Sequence, residues 1–209
     1  MNQPKIKVLQ YMHGNFQYFG WSERINRLYC ERHGYEYRIS RNEPRGDRHV
    51  NWQKVTEILR ELHDCDELLF LDADAVFYAH ELRIEEELLP ISEQKSVTMS
   101  QDCGSESLRW HPGLPNSGVI LVRNDAVAKK IFTEWDASSD FDTESRWNWP
   151  LEQTAFWRYI LPQYKGHITV VGDYYRMQGH FGQYIRHFML QSDAERCENM
   201  KRILYRLEK

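Results

Sequence analysis

The feature that most restricts the fold of this chain is a short apolar run at residues 68–71, Leu-Leu-Phe-Leu, which ends directly at two acids. Strands with one solvated face alternate apolar and polar residues, whereas an unbroken apolar run is typical of a strand buried on both faces. Such a strand needs helices on both sides of its sheet. The run therefore favours an α/β fold.

Segments typical of strands and helices alternate along the rest of the chain. Further strands are predicted at residues 6–12, 35–39, 96–100, 118–122 and 168–171. Helices are predicted at residues 21–33, 55–62, 127–135, 150–160 and 192–207, with a polar loop at 138–148. We expect one domain over residues 1–209, with a mostly parallel, mixed central sheet and helices on both faces. Because ligands bind such sheets at the carboxyl ends of the strands, chemistry is expected just after Met12, Leu71 and Val122.

Several residues predict where the helices begin and end. Ser22 is a candidate cap for the first helix, and Gly34 is expected to end it. Asp125 is expected to cap a later helix. Ser192 and Glu195 have the spacing of a capping box for the last one.

Composition and charge exclude several classes of protein. The net charge of -4 gives no overall basic field that would indicate a nucleic-acid partner. The four cysteines are widely spaced, which indicates neither a zinc site nor a disulfide framework and favours a reducing compartment. We find no signal-peptide core and no apolar run of membrane-spanning length, so we expect a cytoplasmic protein without a membrane span.

A basic stretch lies at residues 38–49, where four arginines and a histidine are interrupted by Pro44 and Gly46. One interpretation is a solvated loop. The other is a flexible lip over an anionic ligand.

The acidic pair that follows the apolar run, Asp72-Ala73-Asp74, is the strongest chemical signal. Unpaired buried carboxylates are strongly disfavoured, so a cation is expected to meet these two. Oxygen ligands with room for phosphate and water suit a hard divalent ion, Mg²⁺ or Mn²⁺. The alternative is that the pair only caps the following turn.

Two classes of enzyme place an Asp-X-Asp triplet after a strand. In phosphatases of the haloacid-dehalogenase type, Asp72 would be the nucleophile toward phosphate and Asp74 a general acid. That fold usually opens with this strand, however, whereas here about 70 residues precede it. It also uses a later pair of acids, and the segment around Asp173 offers only one.

The second class is the GT-A nucleotide-diphospho-sugar glycosyltransferases, and several motifs follow in the order of that group. They are residues 26–35, Trp52-Gln53-Lys54, the Asp72-Ala73-Asp74 triplet, residues 115–119, Glu152-Gln153 and Gly179-His180-Phe181-Gly182. The chain resembles the fungal galactosyl- and mannosyltransferases, the related plant xyloglucan xylosyltransferases, and the glycosyltransferases that large algal viruses use on capsid glycans. The resemblance implies a metal-dependent hexosyl- or pentosyltransferase that uses a nucleotide sugar, UDP rather than GDP, and a hydroxyl of a glycan or glycoprotein acceptor.

The same resemblance implies roles for individual residues. It makes Asp72 and Asp74 contacts to Mn²⁺ (or Mg²⁺) or ribose, and His180 the third protein ligand, while His13, His111, His167 and His187 have less weight as ligands. Arg186 is a candidate for the diphosphate. Asn116, Ser117 and Gly118 are placed at the donor sugar, and Tyr11 and His13 beside the uracil or ribose. Lys54 is either a donor contact or a solvated lysine.

Glu152 and Gln153 match a pair that lies near the anomeric carbon in the resembled family. In a retaining enzyme, Gln153 would shield the cationic anomeric centre. In an inverting enzyme a carboxylate must deprotonate the acceptor, and Glu152, Asp102 and Asp173 are the candidates. A sugar- or nucleotide-binding module without turnover remains a third interpretation of the same residues.

Overall fold

A computed structural model describes residues 3–102 and 114–209, which form an α/β structure around a six-stranded sheet. The strands are β1 (Ile6–Tyr11), β2 (Glu36–Ser40), β3 (Glu67–Leu71), β4 (Ala75–Phe77), β5 (Val97–Gln101), β6 (Pro115–Arg123), β7 (Ile168–Val171) and β8 (Ile185–His187). The main sheet has the order β2-β1-β3-β6-β5-β7, and β4 pairs with β8 in a separate two-stranded sheet. The expected mixed, mostly parallel sheet is confirmed.

One strand of the main sheet runs against the others. β1 is parallel to β2 and β3, and β5 is parallel to β7, but β6 is antiparallel to both of its neighbours. Its register pairs Leu71 with Val119 and Leu68 with Val122. The expectation that chemistry follows Val122 is therefore wrong, because that end of β6 lies at the opposite edge of the sheet. The beginning of β6 lies beside the end of β3 instead.

The helices are α1 (Tyr18–His33), α2 (Gln53–Glu61), α3 (Ile84–Glu87), α4 (Ala126–Ser138), α5 (Thr143–Trp147), α6 (Glu152–Ala155), α7 (Leu161–Tyr164), α8 (Tyr174–Met177) and α9 (Asp193–Leu207). A π-helical turn at Phe156–Ile160 joins α6 to α7, and short 3-10 turns occur at Val50–Trp52, Pro90–Ser92 and Lys165–His167. Within the described part of the chain, no helix combines the length and apolar character needed to cross a membrane.

The observed helix ends confirm most of the capping predictions. Gly34 follows α1 in the left-handed region at φ 76°, and Asp125 accepts the Ala128 amide at the start of α4. The capping box at the start of α9 is present. Ser22 is not a cap, because it lies inside α1, where its hydroxyl accepts a hydrogen bond from Gln10.

Two predictions between α4 and β7 are wrong in detail. The segment expected to be a polar loop contains α5, which begins after Asp142, whose side chain accepts the Ser145 amide. The helix expected to open at Pro150 begins at Glu152.

Alternate side chains of the strands enter different clusters of the core, on opposite faces of the sheet. Leu9 and Phe70 pack with α2 and α4, whereas Val8 and Leu69 pack with α1 and the small sheet. This explains the unbroken apolar run of β3, because both of its faces are covered. A third cluster joins α1 to α9.

The basic stretch at residues 38–49 begins within β2 and packs partly against α4. Arg48 is buried, and its guanidinium contacts the Asp136 carboxylate at 2.7 Å. Arg45 is half-exposed and pairs with Asp47 at 2.6 Å. These arginines are engaged by acids of the protein itself.

Candidate active site

A cavity of about 710 Å³ opens where β1 and β3 end and β6 begins. Its volume is in the range of small-molecule and cofactor sites. Its lining includes nearly all of the residues singled out from the sequence, namely Tyr11, His13, Lys54, Asp72, Asp74, Asp102, Asn116, Ser117, Gly118, Glu152 and Gln153. Aromatic side chains border it, among them Trp149, which is 63% exposed. The sheet topology therefore gathers residues that are far apart in the chain.

Main-chain hydrogen bonds and a hydrogen bond from the buried side chain of Gln10 hold the turn after β3. The Asp72 amide donates to the carbonyl of Gly118 at 2.7 Å, and the Ala75 amide donates to the carbonyl of Asp72 at 2.9 Å. The side chain of Gln10 donates to the same Asp72 carbonyl at 3.0 Å. These contacts fix the backbone from which both carboxylates of the triplet project.

The small sheet brings His187 to the two aspartates. β4 follows the triplet directly, and its Ala75 pairs with His187 of β8. His187 Nε2 lies 3.1 Å from Asp74 Oδ1 and 3.7 Å from Asp72 Oδ2. One ligand atom from each of the three residues falls within 4.8 Å of the others. Two carboxylates and an imidazole in this arrangement can hold a divalent metal ion.

Gly118 permits the histidine to approach the sheet. A Cβ atom at this position would lie only 2.0 Å from His187 Cε1. Because real Cβ contacts are never that short, any other residue at this position would displace the imidazole ring. The glycine expected near the donor sugar thus also makes room for the histidine.

Arg196, near the start of α9, holds the other side of Asp74. Its Nε and Nη2 atoms each lie 3.0 Å from Asp74 Oδ2. Burial by itself would raise the pKa of Asp74, but the contact with His187 and the positive charge of Arg196 outweigh that effect and lower it to about 2. The second carboxylate of the triplet is therefore kept ionised.

Lys54 is a buried bridge between two acids, not a solvated lysine. Its side-chain nitrogen lies 2.6 Å from Asp72 Oδ1 and 3.2 Å from Glu152 Oε1. Burial would lower the pKa of Lys54, but the two carboxylates outweigh it and raise the pKa above its ordinary value. The pKa of Glu152 is raised, mainly by burial. Lys54 thus links the metal-binding candidates to the wall formed by α6.

The remaining candidates form that wall around the first residues of β6. Ser117 donates its amide to Gln153 Oε1 at 2.8 Å and its hydroxyl to Glu152 Oε1 at 2.9 Å. Asp102 accepts hydrogen bonds from Asn116 at 3.2 Å and from Gln153 at 3.4 Å. Glu152 Oε2 is buried and has no hydrogen-bond partner among the described residues. All three catalytic candidates, Glu152, Gln153 and Asp102, thus line the cavity together.

Tyr11 and His13 lie side by side at the end of β1. Their rings are nearly parallel, with centroids 6.5 Å apart and an interplanar angle of 6°. The Tyr11 hydroxyl donates to the Asn42 carbonyl at 3.1 Å. Burial is the main cause that raises the pKa of Tyr11 to about 12. The pair offers flat surfaces to a planar ligand.

The structure places two of the expected residues away from this cluster. His180 has its Nε2 atom 2.5 Å from the Met189 carbonyl and does not line the cavity. Arg186 neighbours His187 in β8, so its side chain points to the opposite face, where its guanidinium carbon lies 3.3 Å from the centroid of the Tyr78 ring. Neither residue contacts the triplet.

Two of the less favoured candidates, Asp173 and His167, also lie elsewhere. Asp173 is exposed and His167 lies in the exposed turn before β7; neither lines the cavity. His111 lies outside the described residues.

Sequence reasoning missed Arg196 and gave His187 little weight. Nothing in the capping box of α9 indicates that the residue after it reaches a carboxylate 122 positions away. For His187 a signal exists, because it lies between Ile185 and Phe188 in a short segment that can pair with the strand after the triplet. A strand of three residues is too short to be predicted from the sequence alone.

Comparison with known proteins places the fold. No family model and no curated protein matches the sequence. A glycosyltransferase involved in glycosylation of the major capsid of PBCV-1 has a similar structure, with a TM-score of 0.79, 19% identity, and coverage of 95% of this chain and 100% of that one. The galactosyltransferase LgtC, solved with donor and acceptor sugar analogs, has a TM-score of 0.56 at 10% identity, over 94% and 95% of the two chains.

A third similar structure contains a metal ion. Drosophila β1,4-galactosyltransferase 7, as a D211N mutant with manganese, UDP-Gal and xylobiose, has a TM-score of 0.55 at 12% identity, over 91% of this chain and 73% of that one. At such identities the likeness concerns the fold. The chain has the GT-A fold of these glycosyltransferases, which confirms the expected fold class.

Proposed function

We propose that this chain is a metal-dependent glycosyltransferase that moves a sugar, hexosyl or pentosyl, from a nucleotide-diphosphate donor to a hydroxyl of a glycan or glycoprotein acceptor, with UDP-sugars favoured. The observation that carries the proposal is the group formed by Asp72, Asp74 and His187 at the floor of a cavity in a GT-A fold. Similar structures with sugar analogs, or with manganese and UDP-Gal, support it.

The two aspartates are arranged alike around the proposed metal position. Each has one oxygen held by a cationic side chain, Lys54 for Asp72 and Arg196 for Asp74. The other oxygen of each turns toward His187 Nε2. This division leaves one carboxylate oxygen per residue, with the imidazole, to hold a divalent ion. We therefore assign His187, not His180, as the third ligand.

The ligand set indicates which ion fits. Two carboxylate oxygens and one imidazole nitrogen suit Mn²⁺ better than Mg²⁺, which prefers oxygen alone. When bound, the ion would neutralise the charge that develops on the departing nucleoside diphosphate. Three ligands from one side leave room for phosphate oxygens and water. Arg186 is not assigned to the diphosphate, because its guanidinium stacks on Tyr78 outside the cavity.

The other lining residues surround the positions of the two substrates. We assign Tyr11 and His13 to the base or ribose, and the first residues of β6, Asn116 to Gly118, to the donor sugar. Gln153 is fixed by the Ser117 amide, and Asp102 accepts from Asn116 in the same wall. Of the candidate bases, Asp102 and Glu152 line the cavity and Asp173 does not, so we restrict acceptor deprotonation in an inverting reaction to those two.

We also propose that residues 1–209 act as one catalytic unit in a reducing compartment, which agrees with a cytoplasmic location. Cys30, Cys65 and Cys197 are buried free cysteines, which agrees with reducing conditions.

The test is turnover of a panel of nucleotide sugars with Mn²⁺, followed through the released nucleoside diphosphate. Wild type should release the nucleotide from at least one donor, and Asp74→Asn should not. Asp173→Asn, a change at an exposed acid outside the cavity, should retain the rate. No release from any donor, with binding of the nucleotide intact, would instead identify a binding module without turnover.

The phosphatase alternative makes a different product. It predicts release of inorganic phosphate from simple phosphomonoesters and a phosphorylated Asp72. In this structure, Asp72 Oδ1 is occupied by Lys54 at 2.6 Å, and the similar folds are those of glycosyltransferases. We expect no phosphate release. Turnover of phosphomonoesters at a rate that matches nucleotide release would reverse this assignment.

A further inference from the structure

A fully buried glutamine lies behind the proposed metal ligand. Gln178, just after α8, is 0% exposed. Its Oε1 atom lies 3.2 Å from His187 Nδ1, while its Nε2 atom is buried with no hydrogen-bond partner among the described residues. Burial of an amide costs free energy unless its hydrogen bonds are made. Among the described residues, the contact with His187 is the polar contact that this amide makes, and it indicates the role of Gln178.

The contact decides which ring nitrogen carries a proton. In the amide orientation of this structure, Oε1 of Gln178, which is an acceptor only, faces Nδ1, and this orientation assigns the proton to Nδ1. In a neutral imidazole the other nitrogen, Nε2, then presents a lone pair. That lone pair faces the carboxylate oxygen of Asp74 at 3.1 Å. A lone pair and a carboxylate repel each other unless a cation lies between them.

The surroundings also keep the ring from turning. Gly118 allows the ring to lie against β6, since a Cβ atom there would be 2.0 Å from Cε1. The His187 amide donates to the carbonyl of Gly179, the residue after Gln178, at 3.2 Å. One short segment thus binds both the main chain and the side chain of the histidine.

Building on the proposed function, we propose that Gln178 is a positioning residue that holds His187 as the Nδ1-protonated tautomer and so directs the Nε2 lone pair to the metal ion. The glutamine touches neither substrate nor metal. It acts through the histidine, as acceptors that hydrogen-bond to ligating histidines do in metal sites, where their loss typically weakens metal binding 10- to 100-fold. Its side-chain oxygen is the atom that matters.

The first experiment measures Mn²⁺ affinity by calorimetry, without donor sugar. Gln178→Met, which keeps the length but removes the acceptor, should bind Mn²⁺ about 10- to 100-fold more weakly than wild type. Gln178→Glu, which keeps an acceptor oxygen, should remain within about threefold of wild type or bind more tightly. Gln53→Met, at a buried glutamine that bonds to Glu57 away from the triplet, is the matched control and should not change the affinity.

Each outcome has one meaning. If Gln178→Met binds as tightly as wild type, or if both Gln178 variants are weakened equally, the positioning role is refuted while the metal site stands. If wild type takes up no Mn²⁺, the metal site of the proposed function fails instead.

A second measurement needs no variant at Gln178. Long-range ¹H–¹⁵N spectra of the Mg²⁺-loaded wild type, with His187→Gln to assign the signals, should show the Nδ1-protonated tautomer of His187. The Nε2-protonated form would overturn the inference even if Gln178→Met fails to fold.

Discussion

Replacement of Lys54 by methionine tests the electrostatics of the site most directly. The lysine is 5% exposed and bridges Asp72 and Glu152 at 2.6 and 3.2 Å. At an effective dielectric constant of about 20, those distances correspond to gross attractions of about 6 and about 5 kcal/mol, most of which is offset by the cost of desolvating the charges. Methionine fills similar space but leaves both carboxylates without their cation.

The effect of Lys54→Met on stability follows from these unpaired carboxylates. Removal of one partner from a buried ion pair costs about 3–5 kcal/mol, because an unpaired buried charge remains. We expect Lys54→Met to lower the free energy of unfolding by that amount, as measured by urea denaturation at pH 7. The loss should be smaller at pH 5 than at pH 8, since a Glu152 carboxyl with a raised pKa takes up a proton as the pH falls and is then no longer a buried charge.

A double-mutant cycle separates this explanation from simple loss of packing. In the Lys54→Met background, Glu152→Gln should restore about 1–3 kcal/mol of the free energy of unfolding, because it removes a buried charge that Lys54 no longer neutralises. Lys7 is the matched control, since it is 2% exposed and pairs with Glu61 at 3.3 Å away from the cavity. Glu152→Gln should restore nothing in Lys7→Met. A loss below about 1 kcal/mol in Lys54→Met, or equal rescue in both backgrounds, would refute the reasoning.

Three further predictions concern the metal site and acid stability. UDP binding followed by calorimetry should require a divalent ion and be lost in Asp74→Ala, because phosphates and carboxylates repel without a cation between them; undiminished binding in the presence of chelator would contradict the metal role. His187→Ala should abolish the preference for Mn²⁺ over Mg²⁺ in titrations, while His180→Ala should retain it, and the reverse result would restore the original choice of histidine. Burial lowers the pKa of His80 from the ordinary 6.5 to about 4, so between these pH values the unfolded state binds more protons than the folded state. The free energy of unfolding should therefore fall by up to about 3 kcal/mol from pH 6.5 to 4. His80→Leu should flatten that fall in urea denaturation across pH, and His63→Leu, at an exposed histidine, should not.

The fold followed from the sequence because its signals are local. The apolar run of β3 requires cover on both faces, and the caps at Asp125 and Ser192 act within one turn of their helices. The direction of β6 was not predictable in this way. Parallel and antiparallel strands of similar burial have similar composition, and only pairing to β3 and β5 distinguishes them.

The candidate site could be predicted from the sequence only where one segment supplies the chemistry. Asp72 and Asp74 are adjacent acids behind a buried strand, a pattern with a direct physical meaning. The choice between His180 and His187 depends instead on the pairing of β4 with β8, which sets the direction of each side chain. The buried state of Lys54 depends on Asp72, after β3, and Glu152, in α6, coming together beside it. Such long-range contacts leave no local mark on the sequence.

The order in which the chain supplies these residues has a consequence for its synthesis. The carboxylates of the triplet emerge from the ribosome more than a hundred residues before His187 and Arg196, which approach them at 3.1 and 3.0 Å. The proposed metal centre is therefore completed only after translation has passed Arg196. A nascent chain, or one terminated before β8, carries the acids without the histidine and arginine, and so lacks part of the proposed metal centre.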